Sequence, residues 1–353
     1  MGKQRLALWA GQLLLCEQPE EEPCGACHGC RLALGLQHPD LHWHFPLPRP
    51  KGVSGDRLAD ALEQARAERL EERRAEPIQR PQGESREASG IYLAAVQTLR
   101  RRAQLRPAMA HEQVFVIGEA EELVVQEASQ EAANALLKLL EEPPRDTRLI
   151  LTSSEPGRLL PTVRSRTVPL HVGRLSGEEV RRLLEEEAGA DPAAAARAAR
   201  AGQGSVGRAL GFLPTEDGPG PLDKMRKRAL ELLRVALSLR REEAFAFALG
   251  FSPTGARQLA DLLGFLDEAI RDLGATLAGV PERAVDPEGA EQLARTLRGR
   301  AVHPADAARA LAAVERARVL ARGNVNPQLL VTGLTEELRR TLLGAPPTPV
   351  ATR

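Results

Sequence analysis

All four cysteines of the chain, Cys16, Cys24, Cys27 and Cys30, fall in one short stretch with the spacing C-x7-C-x2-C-x2-C. Thiolates grouped this closely can enclose one ion tetrahedrally, the closed arrangement of a structural zinc site rather than a catalytic site with an open position. Disulfides are the competing use, and they belong to an oxidising compartment. His28 stands inside the same knuckle as a spare ligand, a bystander once four sulfurs complete the shell. Gly2-Lys3-Gln4 resembles the end of a P-loop, the glycine-rich turn whose backbone N–H groups wrap phosphates. Gln4 occupies the place where Ser or Thr would hold magnesium, and only the end of such a loop is there. The expectation is an N-terminally incomplete nucleotide site with Gly2 and Lys3 as its remnant, which does not bind ATP tightly. His42 and His44 alternate along one short run and are read as structural.

Positioning such residues requires a scaffold, and the apolar pattern supplies one. Val114-Phe115-Val116-Ile117 is a short unbroken apolar run, rich in β-branched residues, which predicts a strand buried on both faces. A helix is predicted over 132–142, with Leu136, Leu137 and Leu140 on one stripe and Pro143-Pro144 as its stop. A second buried strand is expected at Leu149-Ile150-Leu151-Thr152, and a further one follows His38-Pro39-Asp40 over 41–45. Strand, helix and strand at this spacing form a right-handed βαβ crossover, the unit of α/β nucleotide-binding domains.

NALLKLLEEPP, from Asn134 to Pro144, and LILTSSEPGRLLPTVRSR, from Leu149 to Arg166, resemble the AAA+ clamp-loader subunits of bacterial DNA polymerase III, most of all the delta-prime type. The resemblance implies an α/β P-loop NTPase-like (AAA+) domain over 1–173, with the zinc module at 16–30 and a charged insertion at 46–90. A small helical lid at 174–213 and an all-α collar at 222–344, through which subunits assemble, would follow, with a disordered tail at 345–353. It implies an acidic Walker B end after the central strand, where Gly118 takes the place of the magnesium-holding Asp and Glu119 the place of the water-polarising Glu. A Ser-Arg-Cys motif is implied as well, and here it reads Ser165-Arg166-Thr167. In the family its arginine reaches the γ-phosphate of a neighbouring subunit, a fixed charge worth roughly a thousandfold in rate or more. Arg164 is the competing candidate, Arg208 takes the sensor-2 place without a nucleotide to sense, and Arg100-Arg101-Arg102 end a helix that can face DNA phosphates.

The remaining features set the function classes apart. A chain of 353 residues calls for two or three domains. Lys+Arg and Asp+Glu each number 48, which argues against a free-standing nucleic-acid binder, and 3% aromatic residues argue against a base-stacking platform. Lys3 and Arg5 before Leu6–Leu15 and Cys16 imitate a lipoprotein signal, but Gly11-Gln12 interrupts the run and Cys16 has its better use in the thiolate group. A cytoplasmic protein is expected. Residues 56–76 read as a charged helical run inside a mobile, solvated insertion. Beyond it, Ser176 with Glu179 and Asp191 with Pro192 mark two helix starts, and a third begins in 202–210. A Pro/Gly-rich linker at 214–221 leads to apolar helical repeats over 222–239, 256–277, 288–297 and 305–320, and to a last helix after Asn326-Pro327. The function implied is a non-hydrolysing stator that supplies Arg166 to an adjacent ATPase as the sliding clamp is loaded onto primed DNA. Its partners would be gamma/tau and delta subunits, its cofactor structural Zn2+, and its catalytic context the DNA-directed DNA polymerase holoenzyme. The alternatives are an active gamma/tau-type ATPase and an exported zinc-binding lipoprotein.

Overall fold

A computed structural model describes residues 2–75, 89–124, 131–216, 218–238, 240–252, 259–300, 302–321, 323 and 325–344. The chain forms two compact units that meet in sequence at Arg174 and Leu175. In the first, α1 (Gly2–Leu14) and α2 (His28–Leu34) precede β1 (Leu41–His44) and β2 (Leu47–Pro48). Next come α3 (Asp56–Ala75), β3 (Ser89–Gly90), α4 (Leu93–Ala103), β4 (Gln113–Ile117), α5 (Glu131–Glu141), β5 (Thr147–Leu151) and α6 (Pro161–Arg164).

β1, β4 and β5 form a parallel sheet in the order β1-β4-β5, with Leu41 level with Val114 and Val114 level with Arg148. β4 lies in the middle and every one of its residues is buried, as its unbroken apolar run demands. Its one polar residue, Gln113, is satisfied, since Nε2 donates to the carbonyls of Ala103 (3.0 Å) and Leu105 (2.9 Å). Phe115 and Ile117 pack with Val96, Leu99, Leu136 and Leu139 in one core. Val114 and Val116 join Ala7, Trp43, Leu62 and Leu70 in another. Gly11 lets α1 lie close, because a Cβ there would stand 2.9 Å from Leu41 Cδ1.

Two expectations are corrected. β5 is not a buried strand. Among the described residues it has β4 on one side only, so Leu149, Ile150 and Leu151 are half-buried and Arg148 is exposed. The charged run is not a solvated insertion where it is described. α3 buries Leu62 and Leu70, lays the Arg73 guanidinium 4.2 Å from the Trp43 ring and 4.4 Å from that of Phe45, and donates from Arg74 Nη2 to the Leu36 carbonyl at 2.6 Å. Few apolar side chains suffice, because arginine stems cover ring faces. The stretch 76–88, which belongs to the same expectation, lies outside the described residues, as does the tail at 345–353.

The second unit is helical: α7 (Gly177–Ala188), α8 (Pro192–Gly202), α9 (Val206–Leu210), α10 (Pro221–Leu237), α11 (Arg241–Leu249), α12 (Leu259–Leu277), α13 (Pro287–Thr296), α14 (Pro304–Ala321) and α15 (Pro327–Leu343). The helix starts fall where their caps put them. Ser176 and Glu179 close a reciprocal capping box, and Asp191 and Asn326 each cap a helix whose next residue is proline. α11 falls between the apolar repeats read from the sequence, since Phe245 and Leu249 are exposed and its apolar residues follow no single face. The core is leucine-built, from Leu232 and Leu233 through Leu262, Leu263, Leu266 and Leu273. Buried Asp272 ties in the following turn by accepting from the N–H groups of Val285 and Asp286, both at 2.9 Å. Among the described residues no helix is long and apolar enough to cross a membrane.

Candidate functional site

The end of α1 and the start of α2 bring the four cysteines together. Their sulfurs all lie within 4.8 Å of one another, with Cys16 Sγ and Cys27 Sγ at 4.0 Å and Cys24 Sγ and Cys30 Sγ at 3.9 Å. A tetrahedral zinc shell with bonds of about 2.3 Å places its sulfurs roughly 3.8 Å apart, so the four residues fit such an ion with little movement. Backbone N–H groups of Cys24, Cys27 and Cys30 point at the sulfurs of Cys16, Cys24 and Cys27, at 3.5, 3.4 and 3.3 Å. Such donors stabilise thiolates, and the Cys24 N–H holds the Cys16 thiol below its ordinary range. Burial pushes the Cys30 thiol up to about 12, a shift that a bound dication reverses. The knuckle is braced from outside. Gly29 N–H donates to Glu17 Oε1 at 3.1 Å, and Gln12 Nε2 donates to the Cys30 carbonyl at 3.4 Å.

At the other end of α1, Gln4 Nε2 donates to Glu119 Oε1 at 3.1 Å across 115 residues of chain. Gly2 is exposed and Lys3 half-buried in the first turn of the same helix. Glu119 has a left-handed backbone with φ of 53°, and its N–H donates to Thr152 Oγ1 at 3.3 Å. Its residue surface reaches solvent, yet desolvation on the protein side, with Glu121 and Glu122 nearby, holds its carboxyl above the ordinary range. Gly118 sits in a tight place. A Cβ there would stand 3.0 Å from Gln4 Nε2 and 3.3 Å from Trp43 Nε1. The amide of Gln4 therefore fills the space that a carboxylate at 118 would need.

Arg166 is exposed just after α6. Its Nη2 meets Glu141 Oε1 at 2.6 Å and its Nη1 donates to the Thr162 carbonyl at 3.0 Å and to Ser165 Oγ at 3.2 Å. The two motifs that carry the resemblance thus touch each other. Arg164 is exposed within α6. Arg208 lies in the second unit, paired with Glu268 and donating to the Ala201 carbonyl. Of the arginines at the end of α4, Arg101 donates to Thr98 Oγ1 at 3.1 Å and Arg102 lies 3.6 Å from Glu63. His42 and His44 are buried with their rings 4.5 and 6.5 Å from that of Phe115, and burial lowers them to about 4 and about 3. Arg73, Glu141, Glu17 and Gln12 are the site neighbours that sequence reasoning missed. Each owes its place to tertiary packing, and although Glu141 lies within Asn134–Pro144, nothing there marks it as the partner of Arg166.

A family model described as DNA polymerase III, delta subunit, matches residues 1–176. A delta-prime subunit of DNA polymerase III from Bacillus subtilis is 27% identical over 187 residues, and one from Pseudomonas aeruginosa is 34% identical over 193. Over residues 1–176 the chain belongs to the clamp-loader delta-prime family. Each of these matches covers 53% of the chain and, respectively, 43% and 45% of the relative, so the chain spans under half the length of either relative. A tau subunit from Escherichia coli is 36% identical over 112 residues, 30% of this chain and 17% of that one. The parallel sheet flanked by helices is an α/β arrangement, and the thiolate group is compatible with a structural metal.

Proposed function

We propose that the chain is a clamp-loader subunit of the bacterial DNA polymerase III holoenzyme that does not hydrolyse ATP and offers Arg166 to a neighbouring ATPase subunit. The observation that carries the first half is Gly118, where a magnesium carboxylate would stand, with the Gln4 amide hydrogen-bonded to Glu119 beside it. Losing that carboxylate removes one of the metal's anchors, and so the ordinary route to hydrolysis. The second half is supported by the exposure of Arg166, whose partners in its own chain are a surface carboxylate and two local oxygens. An exposed pair of this kind contributes about 1 kcal/mol at most, so a triphosphate with its higher charge can displace Glu141.

In this reading residues 174–213 act as the lid and 222–344 as the collar that packs against gamma/tau and delta subunits. The sliding clamp and primed DNA are handled by the assembly as a whole. Zinc would be held by Cys16, Cys24, Cys27 and Cys30, where it supplies structural cross-linking and no chemistry of turnover. The test is Arg166→Ala in the reconstituted complex. ATPase should fall by roughly a thousandfold while assembly persists. Unchanged turnover removes the assignment of Arg166, and turnover of ATP by the isolated chain removes the non-hydrolysing one.

A further inference from the structure

Helices α7–α9 pack on one another, and a short segment links them to the bundle of α10–α15. Arg208, on α9, is where that link tightens. Its Nη2 pairs with Glu268 on α12, its Nε donates to the Ala201 carbonyl at 3.2 Å, and its guanidinium lies 5.0 Å from the Phe265 ring and 5.8 Å from that of Phe212. Phe212 meets Phe265 edge-on at 5.9 Å and takes Arg226 of α10 at 5.3 Å. The backbone closes the same joint. Leu222 N–H donates to the Gly211 carbonyl at 2.9 Å, and a Cβ at Gly220 would stand 2.5 Å from the carbonyls of both Gly211 and Leu213.

We infer that Arg208 is the bolt of a rigid joint, so that α7–α9 and the bundle turn as one body and this arginine does not sense a nucleotide. A guanidinium can serve three elements at once because its fork donates in plane while its faces stack on rings. An ordinary surface pair would leave the link free to bend. Here charge, a guanidinium over two edge-on rings and a backbone approach open only to glycine all act at one place. Arg208 is thus a positioning residue, and the inference stands whatever is found for Arg166.

The experiment is hydrogen exchange on the full-length protein, comparing wild type with Arg208→Ala, Arg208→Lys and Glu268→Gln. In Arg208→Ala, amides of α7–α9 should exchange roughly tenfold faster while those of α14 and α15 keep their wild-type rates. Arg208→Lys should behave similarly, since an ammonium keeps the charge but loses the fork and the stacking faces. If Arg208→Ala unfolds the whole unit, the two milder variants decide on the same ratio of rates. Wild-type exchange in α7–α9 in every variant overturns the inference. So does acceleration spread evenly from α7 to α15, which would make Arg208 a general stabiliser. Weakened binding of mant-ATP with unchanged exchange would return Arg208 to nucleotide sensing.

Discussion

Replacing His44 by Phe should flatten the acid sensitivity of the first unit. His44 is 3% exposed, Nε2 has no hydrogen-bond partner among the described residues, and burial, with Arg66 and Arg102 adding to it and Glu63 opposing, takes its pKa to about 3. An unfolded histidine titrates near 6.5. Between these values the unfolded chain binds a proton that the folded chain refuses, so stability rises with pH. It is fully present above about pH 6.5 and declines as the pH falls, by about 1.4 kcal/mol per pH unit for this one group. From pH 6.5 to 4.5 His44 alone removes about 2 kcal/mol, a large share of the 5–15 kcal/mol typical of a domain. His42, lowered to about 4, acts in the same sense. Glu119 and Glu122, both raised chiefly by burial, act in the opposite sense, because their protonation on acidification relieves a cost of folding. The difference between wild type and His44→Phe isolates the one term. Urea unfolding followed by Trp43 fluorescence reads this unit, since both tryptophans, Trp9 and Trp43, lie in it. The two stability curves should diverge below pH 6.5, and parallel curves down to pH 4.5 would refute the reasoning.

Gly118→Asp should not create an ATPase. The new side chain must displace Gln4 from Glu119 and press on buried Trp43, so a loss of about 1–3 kcal/mol in urea unfolding is expected. A stable variant that hydrolyses ATP unaided would contradict the account of that position. Zinc released by thiol modification should amount to one ion per chain, and Cys24→Ser should abolish it and lower the melting temperature, because binding is coupled to folding. A metal-free wild type that melts at the same temperature with and without added zinc would count against a structural ion.

Much of the architecture could be read from residue types alone, for local reasons. β4 is read at once because a strand buried on both faces has no polar alternation, and the starts of α7, α8 and α15 are read because cap chemistry is written within three residues. What escaped depends on contacts far apart in sequence. The cover that α3 gives β1 rests on Arg73 lying over Trp43, and a charged run gives no hint of that. The half-burial of β5 follows from its single neighbour among the described residues, and the charged Arg148 is the one residue in it that hints at an edge. The thiolate group could be found from spacing, because its ligands span 15 residues. The bond from Gln4 to Glu119 could not, because nothing in either residue points to the other.

α1 is 13 residues, about 20 Å of rod at 1.5 Å per residue. It ends at a cage that grips Cys30 through Gln12, begins at an amide that grips Glu119, and is pressed onto Leu41 and Val114 at Gly11, beside Gln12. A straight, hydrogen-bonded rod clamped at both ends cannot slip at one without straining the other. If the thiolates hold zinc as proposed, its occupancy becomes a remote handle on a carboxylate gripped about 12 Å further along the rod, and a chelator added to the folded protein should shift the titration of Glu119 without touching it.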